Sequence, residues 1–251
     1  MSTAIAAISM SPTMACAIAS LTVLALLLAL IVLLRPSLLV RVLLAPLLPA
    51  VIFRGNSRRH ELALTIDDGP SPGSAELLAL LQELQVPATL FVISGHLDRG
   101  DPAFLKRALA AGHAIGHHMH EDSVSARLSP TSFRQAFDQA AAELQDAAAP
   151  HRLPLRWFRP GGGWIDSSML RLVSERGYRL VLGSIFPWDT FHPPLAWMAR
   201  FVLSNAHPGA ILVLHDRPDT LPATMELLRR VVPALRQRGY RFVSLDRLLT
   251  S

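Results

Sequence analysis

The sequence predicts an α/β fold in which parallel strands alternate with helices, preceded by an apolar segment suited to a membrane. Three observations carry the prediction. From residue 61 onward, short apolar runs alternate with longer amphipathic ones. Ionisable residues collect where the strand-like runs finish, the end at which parallel α/β folds build their sites. The first 34 residues contain no Asp, Glu, Lys, Arg or His, so all 24 basic and 19 acidic side chains lie at or beyond Arg35.

Met14–Leu34 is an uncharged run of 21 residues, and a bilayer core takes roughly 20 apolar residues as a helix. A buried core helix of that length would carry some polar relief. A cleaved signal peptide would have a basic flank and a shorter apolar run. The run is therefore expected to be a single-pass membrane anchor. A second apolar stretch, Ser37–Phe53, is interrupted by Arg41, Pro46 and Pro49. It is short for a span and is expected to lie at the interface or to be partly buried. A weak second span is the other reading, and Arg41 within it would cost roughly 3 kcal/mol near the bilayer centre. Residues 1–53 thus read as a membrane segment and 54–60 as a polar linker.

Which side of the membrane the remainder faces is left open. Arg35, Arg41, Arg54, Arg58 and Arg59 follow the first span, and the positive-inside rule keeps such a flank cytoplasmic unless a second span reverses it. The one cysteine, Cys16, excludes an intrachain disulfide. It lies near the start of the apolar run, most of which follows it instead of preceding it, which speaks against lipidation. The net charge of +5 comes from arginines interleaved with acids, with no run of five basic residues. Such a pattern describes a solvated surface near a membrane and not a nucleic-acid-binding face.

Residues 61–251 hold the folded domain. Strands are expected at 62–66, 88–93, 113–116, 155–158, 179–185, 210–214 and 241–245, and helices at 74–85, 102–111, 132–148, 167–176, 195–205 and 220–238. Ser129-Pro130 and Asp166-Ser-Ser open two helices as N-caps, and Gly177 and Gly239 close two others. Seven strands and six helices could close as a barrel or stay open as a doubly wound sheet.

Five strand ends carry the chemistry: Asp67-Asp68 at the first, His117 to Asp122 after the third, Arg159 at the fourth, Asp189 after the fifth, and His215-Asp216 at the sixth. Taken singly, each has a structural explanation, since Asp-Asp-Gly-Pro is a good turn sequence and a lone histidine is commonly core. Together, at one end of one sheet, they point to a site. Two adjacent carboxylates on a strand point to opposite faces. His118 and Asp122 are four apart, which on a helical turn places both on one face, as a shared metal requires. His117 and Glu121 share that spacing and form an alternative register.

The ordered set resembles the NodB-type polysaccharide deacetylases, carbohydrate esterase family four. Leu64–Pro70 (LTIDDGP), Gly112–Asp122 (GHAIGHHMHED), Phe158–Trp164 (FRPGGGW), Phe186–Asp189 (FPWD) and Ile211–Asp216 (ILVLHD) are similar to its five motifs, over Glu61 to about Leu249. The resemblance implies a distorted (β/α)7-type barrel. It also implies one divalent metal ion, zinc in the first instance, on Asp68, His118 and Asp122. Asp67 is then the general base, His215 the general acid, Arg159 the partner of Asp67, and Asp189 that of His215. The implied reaction is removal of N-acetyl groups from an N-acetylated glycan, with a backbone N–H of the Gly161–Gly163 turn on the oxyanion.

Four departures from the family pattern stand out. Asp122 replaces the second motif's further histidine, adding negative charge at the metal. Gly162 replaces an aromatic residue, with Trp164 just beyond. Asp189 is preceded by Trp188 and followed by Thr190, where the family usually has Asp-Trp. Val213 stands where leucine often contacts the acetyl methyl. Trp164, Trp188 and Leu214 could form a sugar-stacking surface or simply pack a strand end. Two other functions fit the same residues: an O-acetyl esterase, and a membrane-tethered glycan binder without turnover.

Overall fold

The computed structural model describes residues 11–55, 58–99, 101–150 and 152–250. Residues 1–10 of the expected membrane segment, Asn56 and Ser57 of the expected linker, and Ser251 lie outside the described residues. The N-terminal part comprises α1 (Pro12–Leu34), α2 (Pro36–Leu39), a π-helical turn (Val40–Leu44) and α3 (Ala45–Leu47). The domain follows as β1 (Val51–Ile52), β2 (Glu61–Asp67), α4 (Ser74–Glu83), β3 (Ala88–Val92), α5 (Phe104–Ala110), β4 (Ala114–His117) and α6 (Pro130–Ala148). It continues through β5 (Trp157–Phe158), α7 (Ser167–Glu175), β6 (Arg179–Val181), α8 (Leu195–Asn205), β7 (Ala210–His215), α9 (Leu221–Gln237), β8 (Arg241–Phe242) and α10 (Leu245–Thr250).

The strands pair in the order β1-β6-β5-β4-β3-β2-β7, all parallel, with β8 also on β2. The sheet curls until its ends meet. Beyond β6, Ile185 bridges Leu212 of β7, and beyond β1, Arg54 bridges Ala210. The result is a distorted barrel and not an open doubly wound sheet.

Strand alternation sorts the side chains. Ala63, Phe91, Trp157, Val181 and Ile211 fill the barrel, joined by Val243, Leu245 and Leu248. Leu62, Leu64, Ile66, Leu90, Val92, Leu212 and Leu214 face outward into a layer with the surrounding helices. Phe158 and Leu180 do the same against Phe133, Phe137 and Met169. Both faces are covered, so β2 is buried along its whole length. The N-caps form as expected: Ser129 Oγ accepts from the N–H of Ser132, and Asp166 from those of Ser168 and Met169.

α1 has 23 residues, a length of about 34 Å against a hydrocarbon core of about 30 Å. None of its apolar window Pro12–Ile31 is buried. It is tied to the domain at the C-terminus of α8. Arg35 Nη1 donates to the Ser204 carbonyl at 2.5 Å, Ser37 Oγ donates to Asn205 Oδ1 at 2.8 Å, and Asn205 Nδ2 donates to the Leu34 carbonyl at 3.1 Å. The arginine thereby supplies a cationic donor to the carbonyls a helix end leaves free.

The expected interfacial segment, residues 37–53, is corrected at its C-terminal end. Val51, Ile52 and Phe53 are buried, and β1 pairs Val51 with Leu180 and Ile52 with Val181. An apolar two-residue strand beside prolines has no period to distinguish it from membrane sequence. A domain cut at Arg54 would remove an integral strand. Upstream, Leu38, Val42, Leu43 and Leu47 are exposed while Val40 is buried, so the 36–47 helix covers the domain with one side only.

Candidate active site

β2 carries the first carboxylate into the barrel mouth. Asp67 pairs in register with Phe91 on one side and His215 on the other, and its side chain points inward with Ala63 and Thr65. β5 delivers its partner by the same alternation: Trp157 in, Phe158 out, Arg159 in. Arg159 Nη1 donates to Asp67 Oδ1 at 2.5 Å and to Thr65 Oγ1 at 2.9 Å, and Nε donates to the Val181 carbonyl at 3.0 Å. Its guanidinium stands 4.2 Å over the Phe91 ring. Burial pulls the Arg159 pKa down, and Asp67 opposes that; an arginine stays charged in either case.

Asp68 lies just past the strand with φ of 71°, a left-handed conformation that aspartate tolerates better than most residues. This backbone reversal, and not strand alternation, separates its carboxylate from that of Asp67. His118 Nδ1 donates to the Arg159 carbonyl at 2.7 Å, which leaves Nε2 facing Asp68 Oδ1 at 3.2 Å. A carbonyl can only accept, so Nδ1 carries a proton. Burial works against the imidazolium, but Asp67 and Asp68 raise the His118 pKa, so Nε2–H faces Asp68. Nε2 is the atom that would turn to a metal on losing that proton. Burial opposes ionisation of Asp68, yet the His118 hydrogen bond and the charges of His118, His215 and Arg217 bring its pKa down to about 2.

Asp122 does not join them. The segment from His118 to Asp122 is an irregular loop with Met119 at φ 67°, so the spacing of four does not place the two side chains on one helical face. Asp122 is 47% exposed, and its Oδ2 accepts from Arg217 Nη1 at 2.8 Å. The same Nη1 is 3.6 Å from Asp68 Oδ2. Among the described residues no three His, Cys, Asp or Glu side chains converge as a metal-binding group. Asp68 and His118 fit a divalent ion in donor chemistry; Asp122, as placed, does not complete the set. The His117/Glu121 register is excluded. His117 is fully buried, donates from Nε2 to the Phe137 carbonyl at 2.9 Å and accepts at Nδ1 from Met119 N–H at 3.1 Å. Burial pushes its pKa down to about 4, so it is a neutral core residue.

On the far side of Asp67, His215 is gripped twice by Asp189. The histidine's backbone N–H donates to Oδ2 at 2.9 Å and its Nδ1 donates to Oδ1 at 2.9 Å. Burial works against the imidazolium, but Asp189, Asp67 and Asp68 outweigh it and push the pKa up to about 9. Nε2 is left for chemistry. Asp216 is a structural residue, buried and held by the hydroxyls of Ser71 and Ser74.

The glycine turn is locally dictated. A Cβ on Gly161 would lie 2.0 Å from the Ser123 carbonyl, and Gly162 has φ of 74°. The N–H of Gly161 is spent on Ser125 Oγ and that of Gly163 on the Pro160 carbonyl. The oxyanion candidate therefore narrows to the N–H of Gly162. Trp164 is 69% exposed beside this turn. Trp188 is half-buried and meets Phe186 and Phe191 edge-on. Val213 is buried, and Leu214 packs outward into the helix layer, away from any substrate surface.

A cleft of about 450 Å³ opens beside Asp68, bounded by Asp122, Arg217, His96 and His120. Sequence reasoning missed Arg217 and His96. The strand-end rule could have found Arg217, two residues beyond His215. His96, whose Nδ1 donates to the Asp68 carbonyl at 2.8 Å, follows β3, where no motif drew attention.

A polysaccharide deacetylase family model matches residues 54–181. The chain is 31% identical over 191 residues to a peptidoglycan-N-acetylglucosamine deacetylase of Bacillus cereus, covering 75% of this chain and 87% of the relative. It is 32% identical over 202 residues to a chitooligosaccharide deacetylase of Rhizobium leguminosarum bv. trifolii, covering 74% and 90%. A crystal structure of a peptidoglycan N-acetylglucosamine deacetylase in complex with a substituted N-oxidanyl-benzamide superposes with a TM-score of 0.75 at 27% identity, covering 80% of this chain and 94% of that one.

Proposed function

This chain belongs to the polysaccharide deacetylase family, and on that premise we propose that it hydrolyses N-acetyl groups of a chitin-, chitooligosaccharide- or peptidoglycan-like glycan at the mouth of the barrel. One observation carries the reading. Two buried carboxylate-to-cation pairs, Asp67–Arg159 and His215–Asp189, flank the same point through the Asp67–His215 register.

Asp67 is the general base, oriented by Arg159. His215 is the general acid. Its Nδ1–H is committed to Asp189, and a pKa of about 9 keeps Nε2 protonated at neutral pH, ready to protonate a leaving amine. The N–H of Gly162 takes up charge developing on the acetyl oxygen. Asp68 and His118 would hold a divalent ion, zinc by their N and O donors, with Asp122 as third ligand once freed from Arg217. Such an ion, when bound, supplies carbonyl polarisation and an acidified water. Trp164 and Trp188 offer faces for a sugar, and Val213 lines the acetyl side. α1 and the exposed residues Leu38, Val42, Leu43 and Leu47 hold the domain at a membrane as a single-pass anchor with an interfacial helix. A tethered glycan binder without turnover is the second reading, favoured by the engagement of Asp122 with Arg217.

The test uses the full chain in detergent micelles. Amine release is followed from N-acetylglucosamine oligomers and peptidoglycan, with O-acetylated sugars in parallel. Wild type is expected to release amine, and Asp67→Asn to lose about 10²–10⁴-fold in rate while keeping its fold. Full activity in Asp67→Asn removes the base assignment. Acid release from O-acetyl sugars alone identifies an esterase, and glycan binding with no release in any arm identifies a binder.

A further inference from the structure

The departure at Asp122 and the position of Arg217 explain one another. A site of two carboxylates and an imidazole carries one more negative charge than a site of one carboxylate and two imidazoles. Arg217 Nη1 sits between the two carboxylates, 2.8 Å from Asp122 and 3.6 Å from Asp68. A divalent ion shared by the two carboxylates would need the place that Arg217 Nη1 holds between them. The arginine and the ion therefore exclude each other. A third carboxylate is already within reach: Arg217 Nε lies 3.4 Å from Asp219 Oδ1. Arg217 is 37% exposed and Asp219 53%, so a swing toward Asp219 needs no repacking of the core.

We propose that Arg217 is a built-in counter-cation of this site. It holds Asp122 in the metal-free state and yields it to a divalent ion by moving onto Asp219, and so sets the protein's metal affinity. The inference rests on the metal-dependent reading above, and its test separates the two.

The full chain in micelles is stripped with a chelator and titrated with Zn²⁺ by calorimetry. Wild type, Arg217→Ala, Arg217→Gln, Asp68→Ala, Asp122→His and the Asp122→His/Arg217→Ala double variant are compared, each checked for native circular dichroism. Removing a positive charge within 4 Å of a ligand carboxylate is expected to tighten Zn²⁺ by about tenfold in both Arg217 variants. With histidine at 122 the same removal is expected to give a clearly smaller gain, because the nearer of the two carboxylates is gone and only Asp68, at 3.6 Å, still shares the guanidinium. Asp68→Ala loses saturable binding. Unchanged or weaker Zn²⁺ binding in both Arg217 variants, with Asp68→Ala still defective, overturns the counter-cation role and leaves the metal site standing. An equal gain with histidine at 122 also overturns it. If no protein, wild type included, binds Zn²⁺ saturably, the metal-dependent reading falls and this inference with it.

Discussion

On one side of the site, Asp67 is 3% exposed, and its partner Arg159 makes three hydrogen bonds from strand-borne positions and lies against an aromatic ring. On the other side, Asp122 is 47% exposed, sits on an irregular loop and has Arg217 as its partner, itself on a loop and shared with Asp68 and Asp219. Both are Arg–Asp pairs at the same end of the sheet, at the ends of β2 and β5 in the first case and after β4 and β7 in the second. They differ in what fixes them. The first pair is over-determined by parallel strands whose alternation aims both side chains inward. The second is held between two loops, with both side chains partly open to solvent. The sheet fixes one pair from buried positions, and the loops leave the other at the surface.

The largest consequence concerns Arg159. Arg159→Met leaves Asp67 as a buried carboxylate without a counter-charge and strands the Val181 carbonyl and Thr65 hydroxyl. A loss of about 3–5 kcal/mol is expected, read from urea denaturation of the full chain in micelles. A loss below about 1 kcal/mol would show that the strand-borne pair is no better built than the loop-borne one.

An intermediate effect is expected at Asp189, which fixes the acid. The folded-state pKa of His215 is about 9 against 6.5 for a free histidine. Its contribution to stability is thus fully present below pH about 6.5 and is lost as the pH rises through 9. Asp189→Asn removes the leading cause of that elevation, so the loss of stability begins at lower pH. With His215 as the proposed acid, the alkaline limb of deacetylation is expected to move down with it. Melting temperatures and rates recorded between pH 6 and 10 check this. An alkaline limb that does not move would detach His215 from Asp189 in function.

The contrast also sorts what was legible in the sequence. The seven strands from residue 61 onward were readable as short apolar runs between turn signals, and six of the seven helices by a buried face of helical period. α10 was not, and its first residue, Leu245, was read as the end of a strand. Asp67, Arg159, Asp189 and His215 were readable because strand ends fix direction. β1 was not readable: two apolar residues after a membrane-like run carry no period, and only pairing with β6 distinguishes them. Asp122 was misplaced for a physical reason as well. A spacing of four implies a shared face only on a helix, and Met119 at φ 67° breaks that premise. Arg217 stood within reach of the strand-end rule, two residues past β7, but its pairing with the carboxylates at positions 68 and 122 is made only by the tertiary fold.

The smallest effect is the sharpest on the loop side. Asp122→Ala removes an exposed ion pair whose arginine has Asp68 and Asp219 within reach, so the guanidinium is not left buried and uncompensated. Solvent screens what is lost, and side-chain freedom is regained. The metal-free protein is therefore expected to change in stability by no more than about 0.5 kcal/mol, within the scatter of a urea midpoint. Under saturating Zn²⁺ the same variant should fall further below wild type, because binding adds stability with the logarithm of affinity and the proposed third ligand is missing. A substitution silent without metal and costly with it is the signature of a residue whose role is the ion. A large loss without metal would instead make Asp122 a structural anchor of its loop, and the difference between the two halves of the site would disappear.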